Sequence, residues 1–163
     1  MKEAYALRKQ KWFWKCGLIV GLLVVLLTGC SGSVKTIDVQ QAADQIHSAV
    51  SFKDTMAPPA DNMFGQLYAV DSADVKSRAV YVSSGATAEE IAVIEATDTE
   101  AAGRVKTAME KRVEDLKEGF EDYRPAEMTK LENPVIVVRG PYVLFVLCDQ
   151  ADTAKSAINQ LFA

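Results

Sequence analysis

Few residues in this chain combine a reactive side chain with neighbours that would activate it. Nucleophilic catalysis needs a serine or cysteine beside a base that an acid orients. The stretch Ser83-Ser84-Gly85 is the suggestive serine site, but it lacks the leading glycine of a nucleophile elbow. His47 is the sole imidazole and sits on the border of an apolar helical stripe, as a half-exposed helical histidine would. One histidine and no cysteine cluster leave no ordinary zinc site, and no Asp-x-Asp-x-Asp-Gly run exists for calcium. No Gly-rich loop ends in Lys-Ser/Thr to cradle a phosphate. The expectation is therefore a protein that is not an enzyme, with no catalytic, metal-binding or cofactor-binding residues.

The connection Ser83–Glu90 has a functional reading all the same. Ser83, Ser84, Gly85, Thr87, Glu89 and Glu90 bring hydroxyls, a glycine and carboxylates into one loop, a mixture that binds sugars, peptides or a protein partner. A structural reading stands beside it, in which Gly85 supplies a turn conformation and Thr87 bonds locally. Strand alternation sends Glu89 and Glu90 to opposite faces. With Glu95, Asp98 and Glu100 they read as a solvated charged edge.

Cys30 is a different kind of reactive group. Lys2, Arg8, Lys9, Lys11 and Lys15 precede a fourteen-residue weakly polar-to-apolar run, Cys16 to Gly29. A helix crossing the hydrocarbon core needs about 20 residues. A basic start, a short apolar middle and small residues at a boundary describe an export signal. The boundary Leu27-Thr28-Gly29-Cys30 resembles a bacterial lipoprotein signal. That resemblance implies a diacylglyceryl group on the Cys30 thiol and cleavage between Gly29 and Cys30. Two acyl chains, at about 0.8 kcal/mol per buried methylene, would then hold the mature chain on the outer face of the cytoplasmic membrane.

Composition bounds the rest. Cys30 to Ala163 is 134 residues, enough for one domain. It holds 13 of the 18 basic residues against 21 of the 22 acidic ones, a net charge of −8. Such a surface argues against nucleic acid, which needs clustered Lys and Arg, and leaves tethering to the lipid. Cys148 has no partner for an internal disulfide and ends an apolar run, so it reads as a buried structural thiol.

The elements that must position these residues follow from periodicity. After a short tether over 30–36, Asp38 should cap a helix, with Gln41 as its reciprocal partner. Val39, Ala42, Ala43, Ile46, Ala49 and Val50 would form that helix's apolar stripe. Pro58-Pro59 breaks the chain, and a short helix is expected over Asp61–Ala69. Two strands, Arg78–Ser83 and Glu90–Ala96, flank the Gly-containing connection. A long helix then starts at a Thr97/Glu100 capping box, with Glu100 and Arg104 paired, and runs on to Tyr123. At about 35–40 Å it would overhang the sheet or bend near Gly119. "NPVIVVRGPYVLFVLCD" supplies two strands turning at Arg139-Gly140-Pro141, and a helix over Ala151–Phe162 closes the chain. The order ββαββα behind N-terminal helices predicts an α+β fold, a two-layer sandwich with a largely antiparallel sheet of about four strands in one domain, 37–163. The apolar second hairpin should lie centrally or under helices on both faces.

"AVYVSSGATAEEIAVIEA", "FEDYRP" and "KLENPVIVVRGPYVLFVL" together resemble the small Gram-positive lipoproteins that carry domain of unknown function 4358. The resemblance implies an exported, lipid-anchored domain without an assigned activity, and it brings no catalytic residues. The chain departs from the family at "LYAVDSADV", where the family has Gly-Ile ahead of the first strand. The expected role is a binding or accessory module contacting an envelope protein or peptide; the alternatives are an envelope-acting hydrolase and a lipoprotein that captures a small ligand.

Overall fold

The computed structural model describes residues 34–163. Helix α1 (Val39–Ala49) begins where Asp38 accepts the Gln41 backbone N–H at 2.8 Å, so aspartate is the cap; Gln41's side chain makes no return bond. The 3-10 turn Asp61–Met63 leads into α2 (Phe64–Tyr68), splitting the single helix expected there. Strands β1 (Val75–Val82) and β2 (Glu90–Ala96) follow. β1 starts three residues earlier than its β-branched pattern implied, because the 3-10 turn Ser72–Asp74 delivers Val75 directly into the ladder.

Helix α3 (Thr99–Phe120) is capped by Asp98, which accepts the Ala101 N–H at 2.7 Å. The capping residue is therefore one later than the Thr97/Glu100 box, since Thr97 gives its N–H to Asp74 instead. Arg104 likewise does not pair with Glu100 within the helix; it forks onto Asp74 at 2.6 and 2.8 Å. Helical hydrogen bonding continues through Gly119, and at ~1.5 Å per residue the 22-residue helix is ~33 Å long, beyond the reach of a seven-residue strand. The 3-10 turn Pro125–Glu127, α4 (Met128–Glu132), β3 (Val135–Arg139), β4 (Tyr142–Leu147) and α5 (Ala151–Leu161) complete the chain.

The fold is α+β, with one antiparallel sheet in the order β1-β2-β4-β3. β2 and β4 are apolar on both faces, so each face requires its own cover. One face (Ala79, Ile91, Val93, Leu144, Val146) packs under α1 and α5. The other (Val80, Ala92, Ile94, Val143, Phe145) packs under α2, α3 and the residues around α4. The expected two layers become three for that reason, and β4 is central, buried along its whole length.

The expected tether is ordered at its far end. Val34 lies against the β3–β4 turn, where a Cβ on Gly140 would stand 2.9 Å from Val34 Cγ2, and Gly140 has φ +56°. Lys35 donates to the Ala163 carbonyl oxygen at 2.8 Å.

Candidate functional site

The loop joining β1 to β2 is built by its own polar groups. Ser83 N–H donates to the Glu89 carbonyl at 3.1 Å and Ser83 Oγ to the Thr87 carbonyl at 2.6 Å. Gly85 adopts φ +90°, a conformation that suits glycine. Ser84 gives both its N–H and its hydroxyl to Asp54 Oδ2. That hydroxyl bond is the main reason the Asp54 carboxyl lies below its ordinary pKa. The loop hydroxyls are thus committed to holding the loop.

Glu89 and Glu90 do point to opposite faces, but neither is solvated; both are buried. Burial of a carboxylate demands charge-assisted partners. Glu89 has them in full. It accepts the N–H groups of Lys53 and Asp54, each at 3.0 Å, and the Thr87 hydroxyl at 3.1 Å. Lys130 Nζ, with no exposed side-chain surface, lies 3.5 Å from Glu89 Oε1 and 2.6 Å from Glu127 Oε2. Glu127 in turn accepts the Ala88 N–H at 2.9 Å. Asp149 extends this knot to Lys53 at 2.7 Å. Sequence reading missed Glu127 and Lys130, because a short helix gives no apolar stripe on which a buried lysine would stand out.

Glu90 is less well served. Arg112, reaching across from α3, sends both Nε (3.3 Å) and Nη2 (3.0 Å) to one oxygen, Oε2. Oε1 and the buried Tyr68 hydroxyl make no hydrogen bond of normal geometry. Burial, then the nearby Glu90 carboxylate, pushes the Tyr68 phenol well above its ordinary pKa. A cleft of about 230 Å³ opens beside this pair, lined by Leu67, Val82 and Leu116, by Arg112, and by loop residues from Ser83 to Glu90. All six loop residues singled out from the sequence line it. Arg112 was the signal to find: a basic residue set beside Met109 and Val113 on an apolar stripe.

The remaining candidates fall elsewhere. His47 stacks on Tyr81, with ring centroids 5.1 Å apart, and packs near Phe52. The Tyr81 hydroxyl donates to Asp44 at 2.6 Å, which lowers the Asp44 pKa. Cys148 is buried, which raises its thiol pKa. It borders a larger hollow of about 650 Å³ at the start of α5. Among the described residues no His, Cys, Asp and Glu side chains group to hold a metal, and no helix is long and apolar enough to cross a membrane. Leu27, Thr28, Gly29 and Cys30 lie outside the described residues.

The model of a family, domain of unknown function (DUF4358), matches residues 48–148. The chain belongs to that family. The matched DUF4358 segment contains β1, the whole 83–90 loop, α3, the Glu89–Lys130 knot and the second hairpin, and it stops at Cys148. No curated protein and no solved structure matches the chain.

Proposed function

We propose that this chain is a lipid-anchored extracytoplasmic lipoprotein and a non-enzymatic binding or accessory module of the cell envelope. A diacylglyceryl group on Cys30 tethers it to the outer face of the cytoplasmic membrane, and the cleft beside loop 83–90 engages an envelope protein or peptide. The observation that carries the reading is the division of labour around that cleft. The rim hydroxyls of Ser83, Ser84 and Thr87 are spent on fixing the loop, while Arg112, half-buried in the cleft lining, makes no hydrogen bond through Nη1. A rim already ordered loses little entropy on binding, and a partly desolvated arginine in a cleft that Leu67 and Leu116 also line is the kind of group on which binding energy concentrates. The anchor is supported by the Leu27-Thr28-Gly29-Cys30 boundary.

The test is crosslinking of the full chain in its native membrane, with Arg112→Met alongside. A defined partner captured by the parent and lost in a folded R112M protein is the expected result. Equal capture by both, or none by either, would overturn the reading. Cys30→Ala separately tests the anchor, since labelling with a palmitate analogue should disappear. A second reading, capture of a small ligand, is favoured by the 650 Å³ hollow, lined by Thr129, Asn133, Asp149, Gln150, Thr153 and Lys155 among others. It predicts that one compound class raises the melting temperature and that Thr153→Leu removes the rise.

A further inference from the structure

The two edges of the sheet are finished differently. At the β1 edge the register shifts between Val75 and Ser77, and Lys76 and Arg78 project from the strand. The outward N–H and C=O of Val82 pair with Ala57 at 2.9 Å each, and Pro58-Pro59 then ends that pairing. Bulges, lysines and prolines are the devices by which natural sheets blunt an edge. Within the β3 strand none of them occurs, although Pro134 stands just ahead of it. Val135–Arg139 reads Val-Ile-Val-Val-Arg, pairs only with β4 among the described residues, and has no register shift.

The ladder fixes which backbone groups are left over. Arg139 and Tyr142 close a two-residue turn as a hydrogen-bonded pair, so Val135, Val137 and Arg139 direct their N–H and C=O groups at β4. The bond from Ala96 N–H to the Pro141 carbonyl, on the far side of β4, agrees with that phase. Ile136 and Val138 therefore turn theirs outward. The Val138 carbonyl is capped at 3.2 Å by Nη1 of Arg139, its own neighbour, and Ile136, Val137 and Val138 are half-buried along the rim.

We propose that β3 pairs antiparallel with β3 of a second copy of this chain, across a twofold axis at Val137, to give a continuous eight-stranded sheet. Ile136 and Val138 of the second copy would exchange both backbone hydrogen bonds, and the symmetric pair would add two more. The acid-free apolar strand is where two acidic copies can approach each other, and charge selects the direction. In a domain whose net charge is −8, the strand carries no acid, and its one charge is Arg139. Antiparallel pairing sets the two Arg139 side chains at opposite ends, ~14 Å apart by strand rise, where parallel pairing would stack them. It also places each Arg139 opposite Val135 of the second copy, three residues past the exposed Glu132. This contact does not depend on the cleft beside loop 83–90.

Val137 would face itself in a non-hydrogen-bonded pair, with Cα atoms ~4.5 Å apart, a spacing that admits a disulfide. The experiment compares full-length Val137→Cys, Lys76→Cys on the β1 edge, and the parent chain, under mild oxidation in native membranes. V137C should give at least tenfold more covalent dimer than K76C or the parent. Adding Val138→Pro removes an outward N–H without touching the β3–β4 ladder, and should return the dimer to the parent level. Dimer from V137C no greater than from K76C would overturn the proposal, including the case in which residues preceding Val34 cover this edge. Dimer persisting in a folded V137C/V138P chain would overturn it equally. The comparison of V137C with K76C stands alone should the proline variant not fold.

Discussion

Glu89 and Glu90 are neighbours in sequence, both buried, and differently employed. Glu89 turns toward the 52–55 segment, where both its oxygens accept hydrogen bonds, from the Lys53 and Asp54 N–H groups and the Thr87 hydroxyl, with the Lys130 ammonium 3.5 Å away. Glu90 turns toward α3, where one arginine serves one oxygen and the other oxygen is left beside an unpartnered tyrosine. A saturated buried carboxylate holds structure together and has nothing left to offer a ligand. An undersaturated one, next to a cleft and an arginine with unused donors, is where the proposed function places recognition. On that proposal the contrast separates the scaffold from the candidate site within a single dipeptide.

The largest effect should come from breaking the saturated side. Glu89→Ala strips the Lys53 and Asp54 N–H groups of their acceptor and takes one carboxylate from Lys130. The loss expected for breaking a buried ion pair is ~3–5 kcal/mol, read by urea unfolding. If E89A costs less than ~1 kcal/mol, the knot is not structural and the contrast fails. Lys130→Met tests the same knot from its cationic side and should fall in the same range, because Glu127 then stays buried without its lysine.

A middle effect is expected at Gly140. Gly140→Ala meets both a positive φ and Val34 Cγ2 at 2.9 Å, so it should cost about 1–2 kcal/mol and loosen Val34 from the turn. Limited proteolysis around residue 34 would register that release. An unchanged cleavage rate would mean that Val34 does not rest on the turn.

The undersaturated side should respond least. Tyr68→Phe removes a buried hydroxyl that makes no hydrogen bond of normal geometry, so the unfolding free energy in urea should stay within about 0.5 kcal/mol of the parent or rise. A loss above ~1.5 kcal/mol would show that Tyr68 and Glu90 are a working pair after all.

Acid dependence sharpens the same division. Asp54, Asp74 and Glu95 have pKa values held below the ordinary carboxylate range by Ser84, Arg104 and Lys76 respectively. A folded-state pKa below the unfolded one means that the native state binds fewer protons. The stabilisation is complete above the unfolded value near ~4 and is lost as pH falls through the depressed folded values. Asp54→Asn should flatten the acid limb of the stability curve and raise amide exchange at Ser84. A curve unchanged between parent and D54N would remove Asp54 from the loop's support.

Much of the fold is legible in the sequence, because apolar spacing reports burial directly. The stripes of α1, α3 and α5, both hairpins and the Asp38 cap all come from patterns that local sequence carries. The cap of α3 was displaced by one residue and Arg104 left its helix, both because Asp74, thirty residues before Arg104, competes for those groups. The layer count failed on the same ground: covering both faces is a tertiary demand, although the doubly apolar β4 announced it. At the site, the loop residues and the opposed directions of Glu89 and Glu90 were legible. Their burial was not, since the partners that permit it (Lys53, Arg112, Glu127, Lys130) come from three separate stretches of chain.

The central claim is that the Arg112 side of the sheet end, not the knot, is the contact surface. The direct measurement places a photoreactive residue at Leu116, in the cleft, and in a second chain at Lys111, exposed on the same helix. Illumination in native membranes should yield a discrete adduct from position 116 and none from 111, with the 116 adduct abolished by R112M. Adducts of equal yield at both positions, or none at 116, would contradict it.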